Sequence, residues 1–101
     1  MNIPHFRRNI DALDQRLVRM LNLRARAAQQ IGRLKRSTNL PIYEPRRERV
    51  ILENARRHNR GPLTDRQLAG IYRRIIQAMR DLQRIELLSH ARRPKRRRRK
   101  K

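Results

Sequence analysis

Arg24, Lys35 and Gln83 are polar residues at positions where a helical pattern asks for apolar ones. At 100° per residue, Leu13, Leu17, Ala28 and Ile31 fall within roughly 40° of Arg24, and Lys35 lies about 20° from it. Two permanent cations therefore share one apolar stripe. Gln83 takes the next place on a second stripe, set by Leu68, Tyr72, Ile75/Ile76 and Met79. Burying an unpaired cation is costly, so Arg24 and Lys35 must be paired or hold an anion. A buried amide must likewise satisfy its donors and its acceptor, which puts a polar partner opposite Gln83. Arg47 and Glu48, with Glu44 just before them, offer further charge at the start of another segment. A snorkelling core-edge cation, an ordinary interhelical amide bond or a solvated helix start would account for any one of these alone. Together they describe a polar pocket inside a helical bundle, lined mainly by cations and suited to a small dianion.

Other chemistry is sparse. The chain has no cysteine, hence no disulfide, thiolate metal site or thiol nucleophile. His5, His58 and His90 show no ligand spacing, so no histidine metal site is expected.

The elements that must hold these residues are helices. Ile10, Leu13, Leu17, Met20/Leu21, Ala28, Ile31 and Leu34 recur at helical spacing with no proline between them, which predicts one helix from residue 7 to about 37. Such a helix is roughly 45 Å long, too long to bury its stripe against the rest of one chain, and a dimer is implied. Asn39-Leu40-Pro41 breaks it, and Ile42-Tyr43 reads as an extended linker. Pro45 has the place of a first-turn proline, with Glu44 beside the positive helix end. This second helix carries Val50, Ile51, Leu52 and Ala55 and stops near Asn59-Arg60-Gly61-Pro62. Thr64-Asp65-Arg66-Gln67 fits a capping box. The third helix buries Leu68, Ile71, Tyr72, Ile75, Ile76, Met79 and Leu82 and runs to about His90. The reading is all-α: residues 1–91 form one helical domain and 92–101 a disordered basic tail.

The charge is extreme, with 29 Lys and Arg against eight Asp and Glu, a net +21. Removing the nine basic residues of 92–101 leaves 20 against eight, so the body still carries +12. A nucleic acid or another polyanion is the partner such charge ordinarily implies. Only Phe6, Tyr43 and Tyr72 are aromatic, however, too few to interleave as base-stacking platforms. No stretch approaches the roughly 18 apolar residues of a membrane span, and no signal-peptide pattern opens the sequence. A soluble cytoplasmic protein with no membrane partner is expected.

Several motifs resemble a known family. Arg7…Ile10-Asp11-x-Leu13-Asp14, Leu21-Asn22-x-Arg24, Ile31-Gly32-x-x-Lys35, Pro41-Ile42-Tyr43-Glu44-Pro45-x-Arg47-Glu48, Asn59-x-Gly61-Pro62-Leu63-Thr64 and Ile75…Leu82-Gln83 are similar to the all-helical bacterial chorismate mutases. The likeness covers residues 7 to about 86 in order and takes in every charged stripe position. It implies an intertwined homodimer of three-helix chains with two sites. Arg24 and Lys35 would hold the substrate carboxylates, with Lys35 and Gln83 also donating to the ether oxygen. Glu48 would bind the ring hydroxyl with help from Glu44, and Arg47 would act electrostatically. Arg7 would reach in from the partner subunit. Two features depart from the pattern: Met79 stands where many relatives carry a carboxylate-binding serine, and the surface is supercharged with arginine.

The resemblance implies a cofactor-free Claisen rearrangement of chorismate to prephenate in aromatic amino-acid biosynthesis. Isochorismate pyruvate-lyase shares the fold and the cationic pocket, and a basic helical nucleic-acid-binding protein is the other alternative. Binding of polyanions or nucleic acid through the surface and tail is compatible with catalysis.

Overall fold

The computed structural model describes residues 2–92, with side chains as far as Ser89. Three helices follow in order: α1 (Ile3–Thr38), α2 (Pro45–His58) and α3 (Asp65–Arg92). The all-α class and the long–short–medium order match the sequence pattern. The basic tail expected to be disordered lies, from residue 93 on, outside the described residues, and α3 extends two residues past the expected His90.

α1 begins at Ile3 rather than at residue 7. Asn2 caps it by accepting the His5 N–H at 3.2 Å, and Pro4 sits in the first turn, where its missing N–H costs nothing. Asn39 ends α1 in the left-handed conformation (φ 58°), its N–H donating to the Lys35 carbonyl at 3.0 Å. α2 starts at Pro45 as expected, and the Glu44 carbonyl accepts the Glu48 N–H. Between α2 and α3, Gly61 takes φ 72°, open to glycine at no steric cost, while its N–H donates to Asn59 Oδ1. The capping box forms as expected: Thr64 N–H donates to Gln67 Oε1 at 3.0 Å and Gln67 N–H to Thr64 Oγ1 at 3.1 Å.

α1 and α3 run in the same direction. Gly32 abuts Gln83, and one turn on Arg36 donates to the Glu86 carbonyl. The approach is close because Gly32 has no side chain, since a Cβ there would lie 3.0 Å from the Gln83 Cα. α2 runs back along α3, from the Glu48–Arg80 pair at one end to Leu52, Ala55, Leu68 and Ala69 at the other.

Burial corrects part of the sequence reading. Only Ala28, Ile76 and Met79 are buried apolar residues among those described. Leu13 (57% exposed), Leu17 (54%) and Ile71 (48%) remain open, although their stripes mark them as core. For Leu13 and Leu17 the cause is geometric: α3 packs along only the C-terminal half of α1, so its N-terminal half projects bare, while Ile71 lies on a face of α3 that neither α1 nor α2 reaches. The chain spans 62 × 36 × 15 Å with a radius of gyration of 18.3 Å, against about 13 Å for a compact domain of this length. Among the described residues, no helix is long and apolar enough to cross a membrane.

Candidate active site

The C-terminal half of α1, the first turns of α2 and the middle of α3 surround a cavity of about 390 Å³. Seven of the eight residues singled out from sequence line it: Arg24, Lys35, Glu44, Arg47, Glu48, Met79 and Gln83. The eighth, Arg7, is exposed on α1, about 25 Å along the helix axis from Arg24, and does not join them within one chain.

Lys35 is 5% exposed, and its three ammonium protons have three acceptors: Glu44 Oε2 at 2.7 Å, Gln83 Oε1 at 2.9 Å and the Ile42 carbonyl at 3.3 Å. The linker expected to be extended supplies two of these, which explains why Pro41 must break the helix just there. Glu44 occupies the N-cap position of α2 but makes no side-chain cap, its carboxylate going to Lys35 instead. Gln83 finds the polar partner its place on an apolar stripe demanded. Arg24 and Arg47 line the cavity without a hydrogen bond or ion pair to any described residue. Met79 is buried and gives the wall an apolar surface with no hydroxyl.

One site residue escaped the sequence reading. Arg80 lines the cavity and grips Glu48 with two bonds, Nε to Oε2 at 3.1 Å and Nη2 to Oε1 at 3.2 Å. It sits three residues before Gln83, about 60° round α3, at the edge of the same stripe. With Arg80 included, four cations and two carboxylates face the cavity, a net charge of +2. Ala27, Ala28, Ile31, Ile42, Ile51 and Ile76 make up the rest of the wall with Met79, so these charges act at reduced dielectric.

On the exposed face of α2, a hydrogen bond from Arg56 holds the Glu53 carboxyl below the usual carboxylate range and raises Arg56 in turn. Among the described residues, no group of three His, Cys, Asp or Glu is placed to hold a metal ion. What the cavity offers is fixed positive charge, amide donors and an apolar wall: the means to bind a small dianion and stabilise charge on it.

Residues 6–84 match the family described as chorismate mutase type II. A bifunctional chorismate mutase/prephenate dehydratase from Aquifex aeolicus is 41% identical over 80 residues, covering 75% of this chain and 22% of that protein. Its counterpart from Neisseria gonorrhoeae is 39% identical over 74 residues, covering 73% and 20%. The chain thus spans about a fifth of the length of these relatives. The structure of chorismate mutase form II from Thermus thermophilus is similar with a TM-score of 0.81 at 32% identity, over 83% of this chain and 96% of that one. The family match over most of the chain and the likeness of these relatives show that this chain belongs to the type II chorismate mutase family.

Proposed function

We propose that this chain is a cofactor-free, cytoplasmic chorismate mutase, converting chorismate to prephenate for aromatic amino-acid biosynthesis. The observation that carries the reading is the Lys35–Gln83 donor pair facing a cavity of charge +2, the complement of a dianion. The reaction breaks one C–O bond as one C–C bond forms and needs no nucleophile or proton shuttle. Arg24 and Lys35 would hold the two carboxylates, keeping a flexible substrate in its compact reactive conformer. Lys35 and Gln83 would donate to the ether oxygen as it gains negative charge, with Arg47 adding to the field. A unit charge at 4 Å is worth about 4 kcal/mol at an effective dielectric of 20, a large share of such a barrier reduction. Glu48 and Glu44 would accept from the ring hydroxyl, and Glu44, at 43% side-chain exposure, is free to release Lys35 to the ligand.

The active species would be an intertwined homodimer with Arg7 supplied in trans. The bare N-terminal half of α1 supports this: Phe6, Ile10, Leu13 and Leu17 form an apolar stripe that a second chain would cover. Following the loss of chorismate ultraviolet absorbance, with product identification, tests the reading. Prephenate is expected; pyruvate released from isochorismate instead would make the chain a lyase.

Polyanion binding is a second property supported by a specific pattern. Arg8, Arg19, Arg26 and Arg33 are exposed and lie within roughly 40° of one another on α1, opposite Arg24. Arg33 is held by Glu86 at 3.0 Å, and the remaining line of guanidinium groups suits a phosphate backbone.

A further inference from the structure

The Glu48–Arg80 pair spans the gap between α2 and α3 and stands at the cavity wall. Both side chains are largely shielded, 23% exposed for Arg80 and 20% for Glu48. The Arg80 guanidinium carbon also lies 5.0 Å from the centre of the Tyr43 ring, in the linker that supplies Glu44 and Ile42 to Lys35. One side chain thus joins α3, α2 and the linker, the parts that must keep register for the site to exist.

We propose that Arg80 is a positioning residue: its fork, braced on Tyr43, fixes the Glu48 carboxylate as a preoriented acceptor for the hydroxyl of the bound dianion. This rests on the chorismate mutase reading. A free Glu48 would sample several rotamers, and ordering it would weaken binding. Two parallel N–H···O bonds to a planar guanidinium set both its position and its plane, as a lysine could not. Each carboxylate oxygen has a second lone pair, so Glu48 can accept from a hydroxyl without leaving Arg80. Charge points the same way. A lone carboxylate would repel an incoming dianion, and Arg80 offsets it, keeping the cavity at +2 rather than +1.

The test is a double-mutant cycle with Glu48→Gln and Arg80→Met, with Arg80→Lys as the conservative variant. The readouts are kcat and KM for chorismate and the prephenate dissociation constant by calorimetry, with helicity checked by circular dichroism. A hydroxyl contact made equally in ground and transition states predicts a rise in KM and in the prephenate constant on the order of 10-fold for Arg80→Met, with kcat nearly unchanged. Arg80→Lys should recover part of the loss, and Arg80→Met should add less than about twofold once Glu48 is already Gln. A multiplicative double mutant, a fall in kcat at unchanged KM, or a wild-type-like Arg80→Met would overturn the role of Arg80 while leaving the enzyme reading intact. Absence of chorismate turnover by the wild-type protein would overturn both.

Discussion

Lys35 Nζ donates to Gln83 Oε1 at 2.9 Å across the α1–α3 contact. Lysine has only protons to give, so the amide must turn its oxygen toward Lys35. That leaves both Gln83 N–H donors to a ligand, since no described residue takes them. The two donors proposed for the ether oxygen therefore orient each other before any substrate arrives, the preorganisation that makes electrostatic catalysis effective.

Lys35→Ala should reduce kcat on the order of 10²-fold or more while the helical circular dichroism spectrum persists. The truncation removes a charged donor and also leaves Glu44 and Gln83 without their partner. Turnover near the wild-type rate would remove Lys35 from the mechanism.

Gln83→Glu should make activity rise as pH falls. Only the protonated carboxyl can donate to the ether oxygen, and the ionised form would repel its developing charge. The Lys35 ammonium, within hydrogen-bond reach, favours the ionised form and so drives the active range further toward acid. A pH–rate profile identical to wild type would refute the Gln83 assignment.

Two glycines should respond oppositely to alanine. At Gly32 the new Cβ would press on the Gln83 backbone at 3.0 Å, prising α1 from α3 where the donor pair meets. Gly32→Ala is expected to cost ~1–3 kcal/mol and to lower kcat. At Gly70, also within a helix, a Cβ meets nothing within 4 Å. Gly70→Ala should instead raise the melting temperature, since alanine is favoured there by about 0.5–1 kcal/mol. Thermal unfolding of the two variants decides, and equal shifts would show that the close approach at Gly32 is unimportant.

Lys35 and Gln83 were legible in the sequence because a polar residue on an apolar stripe contradicts its surroundings, and period 3.6 exposes the contradiction. Arg80 was not, because arginine is so abundant here that one more at a stripe edge carries no contrast. Glu44 was placed beside the α2 terminus, yet its carboxylate leaves that end for Lys35, a choice set by tertiary contact. Leu13, Leu17 and Ile71 failed for a different reason. Periodicity marks apolar surfaces and is silent on whether the same chain, or the second copy proposed above, covers them.

That question of chains decides the position of Arg7. Arg7 lies about 25 Å from Arg24 along α1 and about 100° around it, so one helix cannot aim both at one cavity. Arg7→Ala and Arg24→Ala homodimers should each be nearly inactive. In a mixed dimer, one site collects both lesions, while the other takes Arg7 from the Arg24→Ala chain and Arg24 from the Arg7→Ala chain. The second site is fully wild type. Random reassortment makes about half of the dimers mixed, so roughly a quarter of all sites should recover if two equivalent sites are related by the dimer axis. Unfolding the two variants together, refolding and assaying against each refolded alone gives the measurement. The two variants have the same mass, so one is isotopically labelled; no gain in the mixture, with mixed dimers then verified by mass, would show that Arg7 does not act across the interface.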